Sequence, residues 1–376
     1  MPYNVAYMNP PRHPPLRVAE RSGHTMSRIH IGNVPGSRRE ERMKASIEDV
    51  ARKAGVSTAT VSRAFSKPEM VSEKTRTKVM LAADQLDFSV SRTAGILKSG
   101  RSYRVALLVG SGKIEWFTAR LIEGLNEVLR NAGYDLVVYP IGDEDARRTF
   151  FDELPVRGNA DAVIVSSFAI SHSEIKRLNT TRIPLIGINI TSSDFTASAS
   201  IDDRVGIKLI VRHLAALSHR RIMYMYEEFT STLGFSSRNR ISGFRDAVDE
   251  LDGVDGRIVA VDPGDDIANA ALSELLASDN PPTAICFHQD SQAISLLFKL
   301  QRNGIAVPDD VSITGFDNST FSSEAGLTTV RQKPYDMAVC AAKKALDLIE
   351  GRQPEIPHET FPVQLLVRST TAPPRS

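Results

Sequence analysis

Residues 43–65 read MKASIEDVARKAGVSTATVSRAF, and the spacing of their apolar residues predicts two short helices separated by Gly55. Ser46 followed by Asp49 is a helix-start pattern, and Ser57 is placed to cap the second helix. Ser72 opens a third helical pattern with apolar residues one turn apart. Two capped helices that meet at a glycine turn predict a helix–turn–helix unit.

The exposed face of the second predicted helix carries small polar, methyl and cationic side chains. They are Thr58, Ala59, Ser62 and Arg63. Hydroxyl, methyl and guanidinium groups are suited to contact base edges in a DNA major groove. A three-helix module that binds another protein is the alternative that the pattern leaves open.

The charge is distributed unevenly along the chain. Residues 1–42 contain seven Arg against three Glu, and residues 43–101 contain eleven Lys and Arg against six Asp and Glu. Because the whole chain has a net charge of +1, residues 102–376 carry −8. A basic front on an acidic body indicates an anionic partner, with nucleic acid first, although a solvated charged face would give the same pattern.

The composition is that of a globular protein. A chain of 376 residues, 41% hydrophobic, is long enough for two or three domains. It has no run of 18 apolar residues and no apolar N-terminal segment, so we expect neither a transmembrane helix nor a secretory signal. Two distant cysteines, Cys286 and Cys340, exclude a disulfide framework and a CxxC zinc site and favour a reducing cytoplasm. We expect no metal and no cofactor.

From Arg104 onward, apolar runs of strand length alternate with amphipathic helical stretches. The predicted strands are 105–109, 135–139, 161–167, 184–190, 221–226, 257–261, 283–287 and 311–316. The predicted helices are 116–131, 144–154, 205–217, 236–250, 267–278, 290–303 and 335–350. This alternation predicts an α/β fold of doubly wound parallel sheets in two similar lobes. Ligands of such sheets bind at the carboxyl ends of the strands, so we expect a site in the cleft between the lobes.

The segment SIEDVARKAGVSTATVSRAF resembles the DNA-binding headpiece of the LacI/GalR family of transcription regulators, and the similarity continues through VSEKTRTKVMLAADQLDFS. The resemblance implies that Thr58, Ala59 and Arg63 read bases. It makes Ser57, Ser62 and Lys98 candidates for backbone or flanking contacts. It also implies a hinge helix whose Leu97 wedges into the central base step from the minor groove.

The predicted hinge departs from the family pattern in two places. Val90-Ser91 replaces a common Pro-Asn, and Gly95 replaces a frequent Arg. Glycine in a short helix costs about 1 kcal/mol relative to alanine. We therefore expect folding of the hinge to depend unusually strongly on DNA or on the state of the body.

The body resembles the two-lobed, periplasmic-binding-protein-like core of the same family. The similarity lies in SRNRISGF (237–244), PDDVSITGFDNS (308–319), LTTVRQKPYDMA (327–338) and LLVRSTT (365–371). It implies four parts: an N-terminal extension (1–43), a headpiece (44–90), a hinge (91–102) and a core for effector binding and dimerisation (103–376). Met43 is the expected functional start, with residues 1–42 either disordered or added by an upstream start codon.

A sugar offers many hydroxyls and one apolar face, so its receptor needs acids, amides, arginine and an aromatic ring. The candidate residues are Trp116, Phe117, Asp202, Ser236, Arg240, Gln289 and Asp317. The resemblance implies effector contact for all of them except Trp116, for which a core position is the alternative. Helix capping or turn formation is the alternative for Asp202 and Asp317. His213 and His219 are expected on a helix surface.

The sequence departs from the family pattern at Pro263 and at Gln289-Asp290. These departures argue against a purine as the effector and favour a sugar or sugar phosphate. The expected function is sequence-specific transcription regulation, with repression as the commoner family mode. We expect a homodimer on a pseudo-palindromic operator, because the leucine-heptad helix that lets the lactose repressor form tetramers does not follow LLVRSTT. The sequence has no GxSxG or HExxH motif and only a fragment of a P-loop at 110–113, so we expect no enzyme and no catalytic residue. A sugar-binding receptor module whose front helices bind protein is the remaining alternative.

Overall fold

The computed structural model describes residues 45–66, 68–88, 101–110, 113–142, 144–157, 159–180, 182–190, 194–228 and 237–375. The chain divides into two compact units between residues 90 and 91. The expected hinge helix, with Leu97 and Lys98, and the N-terminal extension lie outside the described residues.

The first unit consists of three helices, α1 (Ile47–Ala54), α2 (Thr58–Ser66) and α3 (Glu73–Gln85), with a 3-10 turn at Pro68–Met70. The start of α1 is a reciprocal cap, because the Ser46 hydroxyl accepts from the Asp49 N–H and the Asp49 carboxylate accepts from the Ser46 N–H. Gly55 ends α1 at φ 68°, a left-handed conformation that glycine adopts without strain.

One small core joins these three helices. Its most buried side chains, each at most 5% exposed, are Val50, Ala51, Val61, Ala64, Val79, Ala82 and Ala83. All three helices contribute to it, so the apolar spacing that predicts the helix–turn–helix unit is confirmed.

The second unit contains two six-stranded sheets. The strands are β1 (Arg104–Val109), β2 (Asp135–Pro140), β3 (Ala162–Ser166), β4 (Leu185–Ile188), β5 (Ala197–Ile201), β6 (Arg221–Glu227), β7 (Asp255–Val261), β8 (Ala284–Phe287), β9 (Ser312–Asp317), β10 (Thr328–Arg331), β11 (His358–Phe361) and β12 (Gln364–Leu366). The first sheet has the order β11-β5-β4-β3-β1-β2 and is parallel throughout. The second has the order β12-β10-β9-β8-β6-β7 and is parallel except for β12.

Helices cover both faces of each sheet. They are α4 (Trp116–Asn131), α5 (Glu144–Arg157), α6 (His172–Thr180), α7 (Asp203–Ala216), α8 (Arg238–Asp249), α9 (Ile267–Ala277), α10 (Asp290–Arg302) and α11 (Pro334–Ile349). Helices α4 and α11 pack on one face of the first sheet, and α5 and α6 pack on the other. Helices α7 and α8 pack on one face of the second sheet, and α9 and α10 on the other. This covering buries both faces of the parallel strands, as their continuous apolar runs predict.

The chain passes between the lobes three times. It leaves the first sheet after β5 and enters α7, returns from β10 into α11, and passes again from β11 to β12. Neither lobe is therefore a continuous stretch of sequence. Side chains near these passages can contribute to a cleft that is shared by both lobes.

All eight predicted strands and all seven predicted helices of the body are present, which confirms the two-lobed α/β fold. Helix α6 and strands β5, β10, β11 and β12 were not predicted. The expectation for His219 was wrong: it is 1% exposed, and its ring lies 2.9 Å from Thr283 Oγ1 and 3.0 Å from Ser312 Oγ. His213 lies on α7, half-buried, with Nε2 3.0 Å from Thr371 Oγ1.

Candidate functional site

The predicted base-reading residues lie together on α2. Thr58, Ala59 and Arg63 are exposed, whereas Ser62 is half-buried. The Ser57 hydroxyl accepts from the Thr60 N–H at 3.1 Å and so caps the start of the helix. The surface of α2 thus presents a hydroxyl, a methyl and a guanidinium group to solvent.

A cavity of about 470 Å³ lies in the second unit, with a lining drawn from both lobes. Five of the seven predicted effector residues line it: Trp116, Phe117, Arg240, Gln289 and Asp317. Trp116 and Phe117 open α4 of the first lobe, and Gln289 and Asp317 lie at the ends of strands in the second lobe. These residues therefore lie together in one cavity, as their predicted positions near strand ends lead us to expect.

Arg240 is the charged centre of this cavity and is 4% exposed. Its Nε donates to Asp203 Oδ1 at 2.8 Å, and its Nη1 donates to the His288 carbonyl oxygen at 2.7 Å. The guanidinium carbon stands 3.7 Å from the centre of the Phe316 ring, which is within cation–π range. Burial alone would lower the pKa of Arg240, but Asp203 and Asp317 outweigh burial and raise it, so the side chain stays charged.

Asp317 lies beside this guanidinium, with Oδ1 3.8 Å from Arg240 Nη1. Its Oδ1 also accepts from Gln332 Nε2 at 2.6 Å. Burial raises the pKa of Asp317 to about 8, although Arg240 acts in the opposite direction. The backbone at Asp317 has φ 131°, so the residue is held in a strained conformation that places its carboxyl group in the cavity wall.

Two predicted effector residues are not brought into the lining. Asp202 is exposed and its carboxylate accepts from the Val205 N–H at 3.0 Å, which makes it the cap of α7. The carboxylate that meets Arg240 belongs instead to its neighbour Asp203. The predicted contact between Asp202 and an effector therefore has no support from the cavity. Ser236 lies outside the described residues.

The cavity also has lining residues that the sequence did not single out. They are Lys113, Glu115, Thr118, Ser167, Asn189, Ser237, Ser291, Ser319 and Gln332. Asn189 directly follows β4, but it lies inside the longer predicted strand 184–190, so the sequence did not mark it as a strand-end residue. Gln332 follows β10. Because the sequence did not predict that strand, it could not identify Gln332 as a strand-end residue.

The described residues contain no group of three or more His, Cys, Asp or Glu side chains that is arranged to hold a metal ion. Both cysteines, Cys286 and Cys340, are free thiols. None of the helices in the described ranges combines the length and the apolar character that crossing a lipid bilayer requires.

Comparison with protein families gives two matches. Residues 46–91 match the family of bacterial regulatory proteins of the lacI type, and residues 211–371 match a periplasmic binding protein-like domain. The first match covers the three helices of the first unit. The second covers most of the second lobe and the return into the first.

Curated proteins are similar along nearly the whole chain. The transcriptional regulator GalR of Escherichia coli (strain K12) is 30% identical over 336 residues, which are 88% of this chain and 96% of that protein. The transcriptional repressor PurR of Vibrio parahaemolyticus is 28% identical over 333 residues, 87% of this chain and 98% of the relative.

Solved structures show the same fold. The lac repressor dimer bound to operator and the anti-inducer ONPF has a TM-score of 0.72 at 22% identity, over 88% of this chain and all of the other. The CelR–cellobiose complex has a TM-score of 0.62 at 24% identity, over 87% and 99% of the two chains.

A helix–turn–helix unit joined to a two-lobed ligand-binding core defines the class of DNA-binding transcription regulators with an effector domain. The chain belongs to the LacI/GalR family of these regulators. Its curated relatives are transcription regulators, not enzymes.

Proposed function

We propose that a small hydroxyl-rich molecule, a sugar or sugar derivative, binds in the cavity and sets the affinity of the headpiece for an operator. The observation that carries this proposal is the meeting of Trp116, Phe117, Arg240, Gln289 and Asp317 in one cavity. An aromatic ring offers a surface for the apolar face of a sugar, and the polar groups offer bonds to its hydroxyls.

The balance of donors and acceptors favours a ligand that donates hydrogen bonds. Two buried acidic side chains, Asp203 and Asp317, share the single guanidinium of Arg240. Asp317 lines the cavity and Asp203 does not, so Asp317, ionised above its pKa of about 8, is the carboxylate that a ligand can reach. Gln289 makes no capping bond at the start of α10, so its amide is available to a ligand. Vicinal hydroxyls supply the donors that carboxylates and amide oxygens accept. The CelR structure contains cellobiose, a hydroxyl-rich ligand in a protein of the same fold.

The effector would act on DNA binding through the angle between the lobes. Trp116 belongs to the first lobe and Gln289 to the second, so a ligand that contacts both binds better at one lobe angle than at another. A ligand shifts a conformational equilibrium only by its differential affinity for the two states. In this proposal the hinge, with Leu97 as the minor-groove wedge, transmits the change to the headpiece.

A homodimer on a pseudo-palindromic operator completes the proposal. Among the exposed large apolar side chains of the second lobe are two aromatic ones, Phe298 on α10 at 62% and Phe321 after β9 at 67%. Exposed aromatic residues favour a protein interface, and a second copy of the chain would provide two headpieces for two half-sites. Replacing Phe298 with Asp is expected to shift sedimentation from dimer to monomer, whereas Gln301→Asp, at an exposed position of the same helix, is not.

Gel-shift assays with a DNA fragment from beside the gene test the proposed function. The ligand-free chain is expected to shift one fragment in preference to others, with a steep loss of affinity as salt increases. Arg63→Ala is expected to relax the sequence preference, whereas Leu97→Ala is expected to weaken specific binding through lost bending. A chain that shifts no fragment at low salt would be a sugar-binding receptor module with a protein-binding front end instead.

A further inference from the structure

A second cavity of about 590 Å³ adjoins the effector cavity at the passage from β10 to α11. The two cavities share three lining residues, Trp116, Ser319 and Gln332. A substituent of a ligand bound in the first cavity could therefore extend into the second.

Positive charge dominates the second cavity, which we name the basic pocket after its four cationic lining residues, Arg120, Arg331, Lys333 and Arg368. Of the described acidic side chains, Glu324 and Asp336 alone line it as well. Asp336 is already paired with Lys333 at 3.2 Å, and Glu324 is exposed. Arg120 is paired with Glu123, so the excess positive charge of the pocket rests on Arg331 and Arg368.

Two of these cations meet only neutral oxygen atoms among the described residues. Arg331 donates to the side-chain oxygen of Gln364. Arg368 donates to Asn318 Oδ1 and to the Leu327 carbonyl oxygen, each at 2.6 Å. A half-buried guanidinium without a carboxylate partner favours an anion, which it can hold through paired hydrogen bonds.

The start of α11 adds to this field. The 16-residue helix begins at Pro334, and the Lys333 side chain at its cap accepts no hydrogen bond from the backbone N–H groups of the first turn. Its N-terminal end presents partial positive charge to the same pocket, which Asp336 of the first turn offsets in part.

Gln332 supplies an independent indication of a ligand between the two cavities. It is 4% exposed, and its Oε1 has no hydrogen-bond partner among the described residues. A buried amide oxygen without a partner costs free energy, which a ligand hydroxyl would recover by donating to it.

We infer that the basic pocket binds an anionic group, phosphate or carboxylate, carried by the hydroxyl-rich effector, so that the preferred ligand is a sugar phosphate or sugar acid rather than a neutral sugar. The inference rests on the proposed function for the neutral part of the ligand. The sugar ring would occupy the first cavity, one hydroxyl would donate to Gln332, and the oxyanion would accept from Arg331 and Arg368.

Thermal-shift titrations of the full chain in phosphate-free buffer test the inference. The probes are glucose, galactose and fructose, each against its monophosphate, together with glucuronate and inorganic phosphate. At least one anionic probe is expected to bind roughly ten-fold more tightly than its neutral parent, as charge-assisted hydrogen bonds allow. Arg331→Gln and Arg368→Gln are expected to remove that difference and to leave the affinity for the parent unchanged. Arg302→Gln, an exposed charge that lines neither cavity, is the matched control.

Stabilisation by inorganic phosphate alone that Arg331→Gln removes would also support the anion site, with a free ion as the source. If no anionic probe binds more tightly than its parent, or if the preference survives both variants, the inference is overturned. Operator binding by the ligand-free chain does not depend on the basic pocket. A gel shift of that chain therefore keeps failure of this inference distinct from failure of the proposed function.

Discussion

At the level of single residues, the cavity depends on how Arg240 balances the carboxylates around it. Arg240 and Asp317 both line the cavity, and both could be singled out because a helix start and a strand end are visible as patterns; their contact with an effector stays a prediction. The sequence singled out Asp202, which caps α7, whereas the acid that pairs with Arg240 is its neighbour Asp203. Two adjacent acids at a helix start look alike in sequence, and which one is buried depends on how α7 packs against α8.

Removing Arg240 would leave Asp203 buried without its charged partner. We expect Arg240→Met to destabilise the second unit by about 3–5 kcal/mol, as for other broken buried ion pairs. Urea denaturation followed by Trp116 fluorescence measures the change. Arg238→Met, at an exposed position of the same helix, is expected to change the free energy of unfolding by no more than about 0.5 kcal/mol. A loss below about 1 kcal/mol for Arg240→Met would show that the pair is not buried as described.

The raised pKa of Asp317, about 8, predicts how effector affinity changes with pH. A ligand hydroxyl donates more strongly to the ionised carboxylate, and the ionised fraction increases as pH rises through that pKa. We expect the affinity for a neutral sugar to increase by about ten-fold between pH 7 and pH 9. Isothermal titration at the two pH values measures it. Asp317→Asn, which cannot ionise, is expected to show a flat profile, and an equal slope in both proteins would exclude Asp317 as the titrating group.

At the level of elements, the long amphipathic helices and apolar strands were predictable because their periodicity is strong. The missed strands, β5, β10, β11 and β12, are three to five residues long and carry polar side chains. Their strand conformation comes from neighbours that are distant in sequence, such as the pairing of β11 with β5. Local pattern cannot show such pairing.

The contact between α4 and α11 depends on the absence of a side chain at Gly124. An added Cβ would lie 2.6 Å from the Tyr335 carbonyl oxygen and 2.9 Å from Ala338 Cβ. Because a backbone oxygen cannot rotate away, we expect Gly124→Ala to cost about 1–2 kcal/mol after its gain in helix propensity. Thermal and urea unfolding measure the cost. Asn126→Ala, at an exposed position of α4, is expected to be neutral, and equal stability of the two variants would contradict the close approach.

At the level of the whole molecule, the division into a headpiece and a two-lobed body was predictable from the sequence pattern. Near residue 100 the pattern changes from closely spaced helices to alternating strands and helices. Each unit has its own core: Val61 belongs to the headpiece core and Leu107 to the core of the body. The headpiece core is formed by three short helices, and so small a core gives marginal stability. The body buries both faces of two six-stranded sheets.

Separate cores predict two unfolding transitions, with the headpiece melting first. An effector binds only the body, so it is expected to raise the temperature of the upper transition and to leave that of the lower one unchanged. At 100 times its Kd, the effector adds about 2.7 kcal/mol to the free energy of unfolding of the body. Operator DNA binds the headpiece and is expected to raise the lower transition. Differential scanning calorimetry resolves the two. Val61→Ala should lower only the first and Leu107→Ala only the second, because each removes packing from a different core. A single transition that both variants lower would mean that the two units unfold as one.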